Sequence, residues 1–259
     1  MDIELETTLL VDCSQPEAVM KNLAARQTLG PYEIRAEGSI LMKDQYFDTK
    51  KRSLAGQGIA LRLRRIGPQC LVCIKGKEHI HEWGGIERLE IEKPWSRQTH
   101  DQIISCLGET GLKGDENSLY RDDPCETFSH MGMNCIQHRQ TNRIILDIVH
   151  PWDLSKTHCA EMALDRVCYR FGQGIFLHYE LEIEAKTPAG KDHLETIADL
   201  VSNEFPRELR PWNHNKLVTG YAIETMLKNQ ELPADLSAPG VIGHDQYRRI
   251  EEIITKTLE

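Results

Sequence analysis

The chain has 259 residues, 40% of them hydrophobic, which is enough to bury one large core or two small ones. A formal net charge of -9 excludes general attraction to nucleic acid or to anionic lipid, so any bound anion must be drawn by a local cluster of bases. Eight cysteines without framework spacing, an N-terminus without a basic-then-apolar signal pattern and no apolar run of membrane-spanning length predict a cytoplasmic protein, monomer or homodimer, without nucleic-acid or membrane partners.

In chain order, Ile3-Glu4-Leu5-Glu6-Thr7 alternates with the period of a strand and puts Glu4 and Glu6 on one face. Val19, Met20, Leu23 and Ala24 recur at helical spacing over 16–27, behind a Ser14 cap and an early proline. The stretch 34–47 is predicted extended, and Leu54-Ala55-Gly56-Gln57-Gly58 reads as a turn. Ala60-Leu61-Arg62-Leu63-Arg64 alternates again with bases in place of acids, and Gly67-Pro68 turns it into a partner strand ending at Lys75. A loop around Trp83-Gly84-Gly85 leads to a strand that groups Arg88, Glu90 and Glu92.

A helix is expected over 99–107, while 115–133 gives no clear signal. Paired strands over 135–142 and 143–149 carry Arg139, Arg143 and Asp147. A hairpin joins 164–169 to 175–186 across Gly172-Gln173-Gly174, and its second strand places Glu180, Glu182 and Glu184 on one face with Leu181 and Ile183 on the other. Helices are predicted over 192–203 and 214–228. A linker over 231–243 then leads to an amphipathic terminal helix marked by Tyr247, Ile250, Ile253, Ile254 and Leu258. The expected division is a domain over 1–228 followed by linker and helix over 229–259.

For any one of these strands, a charged face turned to water is the commoner origin of the pattern. Taken together they differ from ordinary solvated faces, which mix charge with Thr, Ser and Gln, because doublets of pure acid and pure base recur. If the sheet closes on itself, those faces line its interior. Arginine and lysine orient phosphoryl oxygens, whereas a carboxylate wall beside them implies an intervening hard cation, magnesium or manganese.

Glu4-Leu5-Glu6, Tyr46-Phe47-Asp48-Thr49, Ala60-Leu61-Arg62-Leu63-Arg64, Lys75-Gly76, Arg88-Leu89-Glu90-Ile91-Glu92, Arg139 with Arg143, Asp147, Tyr179 to Glu184 and Asn215-Lys216 follow one another in an order that resembles the CYTH superfamily, the triphosphate tunnel metalloenzymes. The resemblance implies an α+β fold, an eight-stranded antiparallel closed β-barrel with flanking helices whose interior takes a linear triphosphate. Residue by residue it implies that Glu4, Glu6, Glu182 and Glu184 are catalytic and hold Mg2+ or Mn2+, with Asp147 as a further ligand. Arg62, Arg64, Lys75, Arg139 and Lys216 grip the phosphates, and Arg88, Arg143, Glu90 and Glu92 complete the substrate-binding set. The implied activity is metal-dependent hydrolysis of a triphosphate-bearing small molecule, inorganic triphosphate first and thiamine triphosphate second. A class IV adenylate cyclase-like enzyme and a polyphosphate-binding domain without turnover are the alternatives. Two positions depart from the family pattern: Thr8 stands where the opening motif Glu-x-Glu-x-Lys has lysine, and Asn215 where serine precedes the final lysine.

Other signals are read as structural. Cys70 and Cys73 have no second pair and are expected to be thiols rather than zinc ligands. His79 and His81 are expected in water, Trp95, Trp152 and Trp212 in packing, and the Arg248-Arg249 doublet on a solvated helix face.

Overall fold

The computed structural model describes residues 2–108, 120–150, 158–172, 174–232 and 240–258. The elements are β1 (Asp2–Val11), α1 (Pro16–Ala24), β2 (Thr28–Leu29), β3 (Tyr32–Thr49), β4 (Ala60–Ile66), β5 (Gln69–Lys75), β6 (His79–Ile80), β7 (Ile86–Pro94), α2 (Arg97–Gly108), α3 (Pro124–His130), β8 (Met133–Val149), β9 (His158–Phe171), β10 (Gly174–Ala185), α4 (Leu194–Glu204), β11 (Leu209–Pro211), α5 (Lys216–Lys228), β12 (Gly240–Val241) and α6 (His244–Leu258). Hydrogen-bonded neighbours run β11-β1-β10-β9-β8-β3-β4-β5-β7-β6, and β1 also pairs with β7. The eight long strands therefore form an antiparallel ring with flanking helices, an α+β fold, as the resemblance implied.

Every stretch with period-two alternation is a strand, and the differences from expectation have local causes. The two short strands expected over 135–149 are one strand, β8, because Asn142 has no Gly or Pro beside it to complete a turn and one polar face continues through Gln137, Arg139, Thr141 and Arg143. Ser14 does not cap α1; the capping position is Gln15, without a side-chain hydrogen bond, and Pro16 opens the helix. The turn before β4 is a short 3-10 helix over Ala55–Gln57. Asp48 fixes it by accepting from the amides of Thr49, Leu54 and Ala55, and Gly58 closes it at φ +71°. Asp123 caps α3, in a stretch without clear sequence signal, by accepting from the Cys125 amide at 2.9 Å.

The expected linker contains β12, which pairs in parallel with β10 at Phe176 and Leu177, and its Leu232 and Ile242 are buried. Its residues 233–239 lie outside the described residues, as do Trp152 and the turn residue Gln173. The eight cysteines are free thiols, Cys70 and Cys73 among them. No helix among the described residues is long and apolar enough to cross a membrane.

The chain divides into two compact units. The first comprises Met1–Ile3, Met42–His79 and Arg88–Arg139, and the second Glu4–Leu41, Ile80–Glu87 and Gln140–Glu259. The first unit is built on Leu61, Leu63, Val72, Ile103, Leu107 and Phe128. In the second, Leu181 and Ile183 of β10 pack beneath Leu194, Ile197 and Val201 of α4. A further core joins Val167, Tyr169 and Trp212 to Ile223 of α5 and to Tyr247, Ile250 and Ile254 of α6. Each such side chain contributes about 1.5–3 kcal/mol on burial, so α6 is held firmly.

Candidate functional site

Burial of the apolar face should leave the charged face of each strand in water if the sheet were an ordinary solvated one. Several of the charged side chains are instead buried. Arg62, Arg64 and Arg139 in the first unit, and Glu6, Asp165, Glu180 and Lys216 in the second, are all at most 9% exposed. Charges so placed require partners, because an unpaired buried ion costs several kcal/mol.

In the first unit the partner is Asp44 of β3, directly opposite Arg64 of β4 in the strand register. Arg64 donates to it through Nε at 2.9 Å and Nη2 at 3.1 Å, a bidentate pair, and Arg139 donates through Nη2 at 2.7 Å. Arg139 also donates to the Tyr46 hydroxyl at 2.8 Å and lies 5.0 Å from that ring's centre. Burial pushes the Asp44 carboxyl up, but Arg64, Arg62 and Arg139 outweigh it and leave the group far below its usual range. Tyr46 is shifted down by the same balance of burial against Arg139 and Arg62. Arg62 donates to Glu92 at 3.0 Å and lies 3.7 Å from Glu90, while Lys75 lies 3.4 Å from Glu90. Cys73 donates its thiol hydrogen to Glu92 at 2.8 Å, and burial pushes that thiol up to about 11. The buried Nε of Arg62 has no hydrogen-bond partner among the described residues, so it is a donor suited to an anion. Arg88 is taken up by Glu78 at 2.9 Å.

The second unit reverses the signs. Asp165 of β9 and Glu180 and Glu182 of β10 place ligand atoms within 4.8 Å of one another, a group of hard oxygens suited to a metal ion. Here they enclose Lys216: its Nζ contacts Glu180 and Glu182 and lies 3.0 Å from Asp165. Arg143 donates to both Asp165 oxygens at 2.7 Å and to Glu182. Burial alone would drive the Lys216 ammonium to a lower pKa, but Glu180, Glu182 and Asp165 outweigh it and raise the value well above normal. Lys216 begins α5, where its charge opposes the helix dipole, and the carboxylates offset this. Asn215 accepts from the amides of Leu217 and Val218 at 3.1 and 3.0 Å, so asparagine performs the capping that serine would. Thr8, opposite Glu182 in the register, brings no base there.

A second acidic set lies along the same strand. Glu6 faces Glu184 in the register, and Lys186 donates to Glu184 at 2.8 Å. Burial raises the Glu184 pKa, Lys186 opposes the rise, and Glu4 and Glu6 add to it. Glu4, Glu6 and Glu184 are thus a second set of carboxylates, of the hard-oxygen type a divalent cation takes, beside the trio that already encloses an ammonium and a guanidinium. Asp147 has different company: His158 at 2.6 Å and Glu37, in a groove of about 520 Å³ also lined by Glu161 and Lys186.

Apart from Arg88, held by Glu78, and Asp147, held by His158, the residues singled out by sequence thus fall into three charged groups. Arg62, Arg64, Lys75, Glu90, Glu92 and Arg139 come together in the first unit, and Glu182, Arg143 and Lys216, then Glu4, Glu6 and Glu184, in the second. Sequence reasoning missed the two buried acids that organise the bases, Asp44 and Asp165. The signal for Asp165 was present as an acid, followed by Arg166, within the otherwise apolar stretch from Met162 to Tyr169. Asp44 had none, lying between Lys43 and Gln45.

The family model that describes the CYTH domain matches residues 15–221. The chain belongs to the CYTH family. This CYTH match begins after β1, which carries Glu4 and Glu6, and ends before β12 and α6. Among solved structures the domain is similar to an adenylyl cyclase candidate from Hippeastrum described as having a dominant triphosphatase activity. That similarity has a TM-score of 0.51 at 18% identity, over 89% of this chain and 97% of the other. A protein of Bacillus halodurans described as a candidate adenylate cyclase gives 0.48 at 17% identity, over 84% and 97% of the two chains. The RNA triphosphatase domain of a mimivirus mRNA capping enzyme gives 0.40 at 8%, over 77% and 88%. No curated protein matches the sequence.

Proposed function

We propose that this CYTH domain hydrolyses a triphosphate-bearing small molecule, inorganic triphosphate first, with Mg2+ or Mn2+ as cofactor. The observation that carries the reading is the burial of two charged groups of opposite excess, bases around Asp44 and carboxylates around Glu182 and Glu184. A surface salt-bridge network would be exposed and balanced.

Arg62, Arg64, Lys75 and Arg139 are assigned to bind phosphoryl oxygens, with the open Nε of Arg62 as a ready donor and Glu90 and Glu92 fixing the orientation of these bases. Glu4, Glu6 and Glu184, with Glu182 at their border, are assigned to the cation. When bound, the metal ion supplies charge neutralisation at a phosphoryl oxygen. Lys216, held by Glu180, Glu182 and Asp165, offers a further positive charge for the phosphate chain. Since phosphoryl transfer needs mostly positioning and charge stabilisation, groups fixed in advance are the principal requirement. The eight free thiols agree with a reducing, cytosolic setting.

Thr8 favours a second reading, in which the domain binds polyphosphate without turnover. One panel separates the possibilities. Purified protein with Mg2+ or Mn2+ is offered inorganic triphosphate, thiamine triphosphate and ATP, and phosphate, pyrophosphate and cyclic nucleotide are measured. Phosphate from inorganic triphosphate supports the proposal, and release from thiamine triphosphate instead reassigns the substrate. Cyclic nucleotide from ATP makes it a cyclase, and binding without product leaves a binding domain.

A further inference from the structure

Beyond residue 221, where the family match ends, α6 contributes one polar side chain to the interior of the second unit. Tyr247 is 1% exposed, packs its ring edge-on to His178 and Trp212, and places its hydroxyl 3.0 Å from His178 Nδ1. His178 is completely buried, and its Nε2 lies 2.7 Å from Glu180 Oε2. The other oxygen of Glu180, Oε1, contacts the Lys216 ammonium. A continuous chain of polar contacts thus runs from the C-terminal helix to a charge assigned to phosphate.

We infer that Tyr247 and His178 are positioning residues, through which α6 fixes the orientation of Glu180 and hence of Lys216. Lys216 is flexible by nature, with four rotatable stem bonds that only its partners immobilise. Glu180 can hold it in one place only if its own carboxylate plane is fixed, and the hydrogen bond to His178 supplies that constraint. Direction along the chain follows from its carboxylate end. The Glu180 carboxylate, paired with Lys216, can only accept, so Nε2–H donates to it and Nδ1 accepts from the Tyr247 O–H, which burial keeps protonated. A second tether holds α6 in register, since Arg210 donates to Glu251 at 2.7 Å and to Asp12 at 2.9 Å.

The inference rests on the proposed phosphate role of Lys216, and its test has an arm that does not. In the full-length protein, Tyr247→Phe keeps the ring and removes the donor. The account expects KM for inorganic triphosphate to rise roughly 3- to 10-fold, the effect of one buried hydrogen bond, with kcat little changed. His178→Leu should show at least the same rise, and His178→Gln, whose amide can donate from the Nε2 position, should recover part of it. An unchanged KM in Tyr247→Phe and His178→Leu with a lowered Tm would reduce the contacts to packing and overturn the inference. The independent arm is the 15N resonance of the Lys216 ammonium, read without substrate. A shift in Tyr247→Phe supports the chain even if no triphosphate is hydrolysed, and an unmoved resonance refutes it whatever the activity.

Discussion

The two units use the same device with opposite sign. In the first, one fully buried acid, Asp44, is surrounded by Arg62, Arg64 and Arg139. In the second, Lys216 and Arg143 lie among Asp165, Glu180 and Glu182, with Lys216 in contact with all three. In each, the ions of the minority sign hold those of the majority sign together at a density that mutual repulsion would otherwise forbid. The difference teaches which ligand each group can take: surplus donors invite an anion and surplus carboxylates a cation.

The comparison breaks most visibly when a minority ion is removed. Asp44→Asn and Lys216→Met should each cost about 3–5 kcal/mol of stability, the usual consequence of leaving buried charge without its partner. Their pH dependence should differ. The folded-state pKa of Asp44 is depressed, so its contribution is present above the unfolded value near 3.8 and disappears as pH falls below it. Asp44→Asn should therefore flatten the acid limb of a denaturant-melt profile. Lys216→Met removes one of the two cations that hold the Asp165 carboxyl low against its burial, so Asp165 should protonate more readily and the variant should recover stability as pH falls, where the parent protein loses it. If both variants share one pH profile, the opposition of sign is wrong.

Removing a majority ion should affect function instead. Glu182→Ala leaves Arg143 and Lys216 against Asp165 and Glu180, a balanced set. It should keep Tm within a few degrees and lower divalent-dependent phosphate release on the order of 100-fold. Arg62→Ala should act mainly on binding, with KM for inorganic triphosphate raised about 10-fold, the worth of one charge-assisted hydrogen bond. A fall in kcat with KM unchanged would move Arg62 from binding to chemistry.

What the sequence showed and what it hid follow from the range of the interactions. Alternation is local, so β1, β4, β7 and β10 and the charged faces of Glu4, Arg62, Glu90 and Glu182 could be read directly. Pairing is not local. Arg139 and Asp44 are 95 residues apart, and Lys216 and Glu182 are 34 apart, so no pattern within one strand says which acid serves which base. The continuity of β8 was hidden for a different reason: Asn142 is a turn former by type, and only the structure shows it exposed within an unbroken strand. Likewise, the identity of the residue at position 215 was a weak guide to its function, since asparagine and serine cap a helix by the same hydrogen bond.

The most direct test is a crossed calorimetric titration, with Mn2+ and inorganic triphosphate injected separately into Arg62→Ala/Arg64→Ala and into Glu6→Gln/Glu184→Gln. The account predicts that the arginine pair loses triphosphate binding and keeps Mn2+, and that the glutamate pair loses Mn2+ and keeps triphosphate. Equal loss of both ligands in both variants, or Mn2+ affinity unaffected by the glutamate pair, would contradict it.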